Sequence, residues 1–416
     1  MAVQIPYPLP AKQDMVNSPA LERDFAELHT MGSLVRAKFP FGGEGWIAVR
    51  YDVAKSVLDD PRFGLEITRE MGDYPRIRQV ETGPPFPPSF VQYDPPIHTK
   101  KRSVLMKHLT VKRVRQLRPR VEALVESQLD LVESMGPPVD LSAHFAREIP
   151  VRVFADLIGA PVDEHDRFLK AARLLGNSRA ETPEEAAEAI GTLRDYFAEL
   201  VDRRKRSPGD DLISALILET ETTGSWTEEE LHGVGVILLL GAHDATSAML
   251  GGIIEWLSHD RALYQQIRND PQSFPRAFEE FVRFIPAGLA GTRSRIALED
   301  VQVGEVLVKK GEAVLPIVHA ANFDESAFEN ADLLDLDRQP TAPHLAFGFG
   351  PHACVGLQLA RMEIDVAIRA LVRRFTSIEN MNTNPRWFDE RLLRGPKEIR
   401  VAWEKAEVSN LARSIH

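Results

Sequence analysis

The residues of this 416-residue chain best suited to chemistry lie in a few short stretches, and the first is AFGFGPHACVG. It holds the only cysteine, Cys354, among Gly348, Gly350 and Gly356, with Phe347 and His352 close by. A lone thiol is most often an inert apolar filler, so its surroundings must supply any other meaning. Cys354 has no CxxC partner and no second cysteine anywhere, which excludes a structural zinc or iron–sulfur site built on thiolates. A haem needs only one axial cysteine. The segment Gly348-Phe-Gly350-Pro-His-Ala353 also satisfies G-x-G-x-x-A, a form of the dinucleotide fingerprint. That motif requires a preceding strand and a helix opening inside it, and here Pro351 interrupts the turn with no βαβ pattern around it.

Three further stretches carry charge or hydroxyl groups in suggestive places. EEFVRF sets Glu280 and Arg283 one helical turn apart on one face, the spacing of an ordinary surface ion pair and equally of a buried one. LLLGAHDATSAML places Asp244, Ala245 and Thr246 in succession inside an apolar run. From Thr99 to Arg120 the chain carries nine Lys/Arg and no Asp or Glu, although its net charge is −11. Such a run is either a solvated basic face or a docking patch for an acidic partner.

These residues must be positioned by mainly helical elements. Helical periodicity covers VRQLRPRVEALVESQLDLVESM, PVRVFADLIGA, PEEAAEAIGTLRDYFAELVDRRK and the stretch from Thr227 to about Leu257. The last opens with Thr227 and Glu230 at capping-box spacing. Strand signals are local, in EGWIAVR and in VQVGEVLVKKGEAVLPIV from Val301. The proline cluster at 84–96 predicts a long irregular loop. The expected fold is therefore mainly α with a small β region. Hydrophobic residues make up 44% and charged residues 27%, as in an ordinary globular protein, and the acidic balance argues against nucleic acid as a partner. One cysteine suits a reducing cytoplasm. The first residues show no signal-peptide pattern, and the longest apolar run falls short of the ~18 residues of a bilayer span, so no membrane anchor is expected.

The run Phe347 to Gly356, followed by LQLARMEIDVAIRALVRRF, resembles the haem-binding loop of the cytochrome P450 superfamily, in its bacterial soluble type. Glu280 and Arg283 resemble that family's buried pair, and Arg338 in ANFDESAFENADLLDLDRQP would complete the network. DPPIHTKKR resembles the start of the family's third helix. The resemblance implies a single P450 domain over 1–416, with its β-rich parts near the N-terminus and around 296–316, and a long distal helix crossing over the haem. Cys354 would ligate the iron of haem b. His98, Arg102, Arg295 and His352 would hold the propionates, and Phe347, Gly348 and Gly356 would shape the loop. The implied activity is a haem-thiolate monooxygenase, cytoplasmic, fed with electrons from NAD(P)H by a separate ferredoxin and ferredoxin reductase. The basic stretch would then be the docking face for an acidic ferredoxin.

The resemblance breaks at one place. The family's distal helix carries an acid followed directly by a threonine, whose hydroxyl orders water and helps deliver protons. Here Asp244 is followed by Ala245, and Thr246 is rotated by about 100° from the needed position. A substrate hydroxyl, a helix bulge that brings Thr246 or His243 inward, or a reaction other than hydroxylation would each answer this. Ile237, Leu240 and Gly241 on that helix, with Leu289 and Ala290 opposite, would form an apolar pocket for a hydrophobic small molecule. Peroxide-driven chemistry and a non-catalytic haem protein are the alternative functions.

Overall fold

The computed structural model describes residues 3–4, 27–77, 86–176, 183–285, 287, 293–339, 341–383, 387 and 394–405. Leu289 and Ala290 lie outside them. The strands are β1 Val3–Gln4, β2 Leu34–Lys38, β3 Glu44–Ala48, β4 Phe63–Gly64, β5 Val139–Asp140, β6 Arg295–Ala297, β7 Val301–Val303, β8 Val306–Val308, β9 Ala313–Pro316, β10 Phe375–Asn380 and β11 Arg400–Lys405. One sheet runs in the order β1-β2-β3-β9-β6-β4, a second in the order β10-β11-β5, and β7 and β8 form a hairpin. The strand signal in EGWIAVR is realised as β3, in which Gly45, Ile47 and Ala48 are buried. The long run from Val301 becomes β7, β8 and β9, broken at Gly304 and Gly311, both of which take positive φ.

The helices are α1 Tyr51–Asp59, α2 Ile97–His108, α3 Val111–Met135, α4 Glu148–Ile158, α5 His165–Gly176, α6 Pro183–Arg206, α7 Leu212–Thr223, α8 Glu228–His259, α9 Arg261–Asn269, α10 Phe274–Phe284, α11 Val318–Asn322 and α12 Leu357–Arg374. α8 starts where its capping box predicts. Thr227 Oγ1 accepts from the Glu230 N–H at 3.2 Å, and the Glu230 carboxylate accepts from the Thr227 N–H at 2.8 Å. α6 carries Glu184 and Glu185 in its first turn and Arg203, Arg204, Lys205 and Arg206 in its last, the order its dipole favours.

The apolar core follows from these faces. α8 packs against α4, α5, α6, α7, α9 and α12 and forms the axis of the molecule. It is long and apolar enough by composition to cross a membrane, but 67% of its most apolar window is buried within the fold. Its apolarity is spent on packing against other helices. α10 buries Phe274, Ala277, Phe278, Phe281 and Val282 along one face, which turns Glu280 and Arg283 inward as well. The sheet β1-β2-β3-β9-β6-β4 brings Arg295, on β6, into the interior with only 4% of its surface exposed.

Candidate functional site

The cysteine loop is held from three directions. Gly348 and Gly350 take φ of +72° and +69°, the left-handed region that glycine occupies without strain. Gly350 also lacks room for a side chain, since a Cβ there would come 2.7 Å from the Leu58 carbonyl oxygen and from Asp59 Oδ1 at the end of α1. The Cys354 N–H donates to the Phe347 carbonyl at 2.8 Å, and the Gly348 N–H donates to Leu345 at 2.8 Å. The Phe347 ring lies among Phe278, His344 and the Arg361 guanidinium, with Arg361 5.7 Å from its centroid.

Cys354 stands just before α12, and its electrostatics are divided. Burial pushes the thiol up, while the Gly356 and Leu357 N–H groups, Arg102 and Arg361 act in the opposite direction and favour the anion. Its side chain is nonetheless accessible. An accessible sulfur in desolvating surroundings faces an internal void.

α8 presents an open stripe of its own. Its accessible residues are Ile237, Leu238, Leu240, Gly241, Ala242 and Ala245, with Gly241 the most open, in a helix whose other central residues are almost all buried. At 100° per residue these positions form one continuous stripe with Gly241 and Ala245 near its middle. A Cβ built on Gly241 would meet nothing within 4 Å. Ala245 therefore faces the void. Thr246 and Asp244 flank it on opposite sides and are both 7% exposed. α8 is continuous α-helix through this region, so the bulge that would bring Thr246 or His243 inward is not formed.

A cluster of basic side chains lies beside the cysteine loop. The His98 and His352 rings stack at 3.9 Å between centroids. Burial, then the charge of Arg102, pushes His98 down to about 4, with Arg295 and Arg293 adding to it. Burial and the same three arginines, together with His98, bring His352 down to about 2. Both His98 ring nitrogens are buried without a hydrogen bond. Arg295 donates to the Arg293 carbonyl at 3.2 Å, and Arg293 donates to the Val91 carbonyl. Three arginines and two histidines converge here, with Asp94 3.9 Å from His352. Such a cluster calls for an anionic ligand, and the two carboxylates of a haem would meet that demand.

Glu280, Arg283 and Arg338 also come together. Glu280 accepts from Arg283 Nε and Nη2 at 2.8 Å each and from Arg338 Nε at 3.0 Å. Arg283 spends its remaining donors on the Asn322, Ala331 and Leu333 carbonyls. This knot ties α10 to the segment that leads into the cysteine loop.

Sequence reading missed several participants. Leu238 and Ala242 belong to the α8 stripe, and the spacing of Ile237, Gly241 and Ala245 could have identified them. Arg293 joins the basic cluster and Arg361 the surroundings of Cys354, neither with a sequence signal of its own. Glu279, beside Glu280, forms a second network with Arg361 at 2.7 and 2.8 Å and His344 at 3.1 Å. Partial burial would raise Glu279, but the hydrogen bonds from His344 and Arg361 outweigh it and hold the carboxyl at about 2. An unfolded glutamate protonates near 4.5, so the folded state binds fewer protons below that pH. The stabilisation is complete above pH 4.5 and is lost as pH falls through about 2. In urea titrations over that range, the wild-type midpoint should fall more steeply with acidification than that of Glu279→Gln; parallel slopes would sever Glu279 from acid stability.

The cytochrome P450 family profile matches residues 168–403. A nocardicin C N-oxygenase from Nocardia uniformis subsp. tsuyamanensis is 37% identical over 386 residues, covering 92% of this chain and 96% of the relative. A mycinamicin IV hydroxylase/epoxidase from Micromonospora griseorubida is 36% identical, covering 93% and 97%. Among solved structures, a mixed-function P450 in complex with mycinamicin IV superposes with a TM-score of 0.86 at 34% identity, over 97% of this chain and all of that one. The chain belongs to the cytochrome P450 family and is a haem-thiolate monooxygenase. Its cofactor is haem b, ligated by Cys354, and the accessible sulfur, the open space over Gly241 and the cluster of basic side chains beside the loop fit that group. When bound, the haem supplies the cleavage of dioxygen that allows one oxygen atom to enter a C–H bond.

Proposed function

We propose that this enzyme is a single-unit, cytoplasmic P450 that oxidises a small-to-medium hydrophobic molecule bearing its own oxygen near the reacting carbon, with electrons from NAD(P)H through a separate ferredoxin and its reductase. The observation that carries the substrate reading is the α8 stripe. It is apolar throughout, it is open over Gly241, and it presents Ala245 where a hydroxyl would stand. The relatives named for nocardicin C and mycinamicin IV support a functionalised organic substrate. In this reading His98, Arg102, Arg295 and His352 hold the haem carboxylates, Phe347, Gly348 and Gly356 shape the ligand loop, and Glu280, Arg283 and Arg338 keep that loop folded. Ile237, Leu240 and Gly241 contact substrate, and Leu289 and Ala290 are assigned to the opposite wall.

A substrate hydroxyl, or a water it orders, fills the position of the missing threonine side chain. Substrates carrying that oxygen should couple NADH consumption to product, and analogues lacking it should shift the haem spin state yet release peroxide. Ala245→Thr should restore coupling on those deoxy analogues by about tenfold or more. Turnover measured with ferredoxin, reductase and such substrate pairs tests the reading. Coupling indifferent to both the oxygen and the substitution would favour peroxide-driven or non-hydroxylating chemistry.

The basic stretch is only partly available for docking. Lys101 pairs with Glu230 at 2.7 Å, Lys107 with Glu219, Arg118 with Asp365 at 2.7 Å, and Arg120 reaches Asp156 and Asp210. Arg102 contributes to the surroundings of Cys354. Lys100, Lys112, Arg113 and Arg115 form no ion pair among the described residues, and they are the cations assigned to an acidic ferredoxin. Arg113→Glu should slow reduction by ferredoxin more at low than at high ionic strength, because the Debye length shortens from ~30 Å at 0.01 M to ~10 Å at 0.1 M. Lys107→Glu should matter less. Equal slowing at every salt concentration would contradict this docking face.

A further inference from the structure

The arrangement around Asp244 raises a question that the missing threonine leaves open: where its protons come from. Asp244 is 7% exposed, and its only ion-pair contact among the described residues is His243, whose Nδ1 lies 2.9 Å from Asp244 Oδ1. His243 is 2% exposed, and neither ring nitrogen is aligned for a hydrogen bond, even at that separation. One helical turn further on, Ser247 is 8% exposed and its Oγ is also buried without a partner. Unpartnered polar groups in a protein interior are costly. Two of them on one helix face therefore mark either a site for internal water or a functional group held for use.

Helix geometry gives these groups an order. With 100° between successive residues, Asp244 stands between His243 on one side and Ala245 on the other. Ala245 belongs to the open stripe, whereas His243 and Ser247 point to the protein side, so the carboxylate spans the boundary between the two. Imidazole suits this position because it can take up a proton at one nitrogen while releasing one from the other. Among the described residues no lysine or arginine pairs with Asp244 to serve instead.

We propose that His243 is the proton-supplying partner of Asp244, fed by a water held between His243 Nε2 and Ser247 Oγ. In each transfer a proton arrives at Nε2 from that water, the imidazole turns to align its Nδ1–H with Asp244 Oδ1, and the Nδ1 proton passes to that oxygen. Asp244 then releases its proton to the water or substrate hydroxyl over Ala245. One proton enters and one leaves, no electrons move, and return of the imidazole to its starting tautomer completes the cycle. The inference rests on the haem-thiolate reading of the cavity, which consumes protons there.

The test compares His243→Gln and His243→Phe with wild type, all as holoprotein. Glutamine keeps polar atoms near Asp244 but cannot relay a proton, and phenylalanine keeps the ring volume. Both variants should retain the haem-thiolate carbon monoxide spectrum; loss of that spectrum in wild type would overturn the cofactor reading, which separates the two failures. Product formed per NADH should fall by about tenfold or more in both variants, with a larger solvent deuterium isotope effect. Independently of turnover, ¹⁵N NMR of the diamagnetic carbon monoxide complex should show the His243 Nδ1 resonance shift on Asp244→Asn, as expected for a shared proton. Wild-type coupling in His243→Gln, or a His243 signal indifferent to Asp244→Asn, would overturn the proposal.

Discussion

Arg283→Ala is expected to leave little folded holoprotein. Arg283 is 2% exposed and occupies its guanidinium with the Glu280 carboxylate and three backbone carbonyls. Its removal leaves the buried Glu280 carboxylate with Arg338 and the Asp335 N–H alone and takes the guanidinium donors from the Asn322 and Ala331 carbonyls, and losing one member of a buried pair costs about 3–5 kcal/mol. Against a total stability of about 5–15 kcal/mol for a folded domain, that is a large fraction. Arg283→Lys should recover only part of the loss, since an ammonium cannot reproduce the planar five-donor fork. Urea midpoints and haem content per chain check both variants. An unfolding free energy for Arg283→Ala within about 0.5 kcal/mol of wild type would remove this knot from the account of how the cysteine loop is held.

Cys354→Ala is expected to abolish product formation, and any haem it retains should lose its thiolate spectrum. Nothing can compensate, because the chain has no second cysteine. His352 is a poor substitute: its ring is stacked on His98 beside the arginines and is directed into that cluster. Gly350→Ala should produce a milder defect of a different kind. It would force both a disfavoured φ and a clash with the end of α1, so haem content should fall while the thiolate spectrum of the remaining holoprotein persists.

The parts of the site legible in the sequence were those fixed by local chemistry. The cysteine loop could be read because the run from Phe347 to Gly356 resembles the haem loop of the cytochrome P450 family, and the start of α8 because a capping box is a four-residue pattern. The position of Ala245 came from the family resemblance and helical register separated Thr246 from it; α8 is continuous there. What stayed hidden depends on contacts between distant segments. Nothing local in His98 or His352 says that their rings stack, or that Arg293 joins them. The nine cations of the basic stretch read as one patch, yet Lys101 and Lys107 are claimed by acids at Glu230 and Glu219, more than 100 residues away. The sheet of β10, β11 and β5 escaped because FTSIEN and RVAWEK are short, mixed in polarity and meaningful only when paired.

The carbon monoxide difference spectrum of the dithionite-reduced wild-type protein tests the central claim most directly. Thiolate ligation by Cys354 predicts the strongly red-shifted Soret band that this ligand alone confers on a ferrous carbon monoxide haem. A band at the position of a histidine-ligated globin would contradict the account, and so would a protein that takes up no haem.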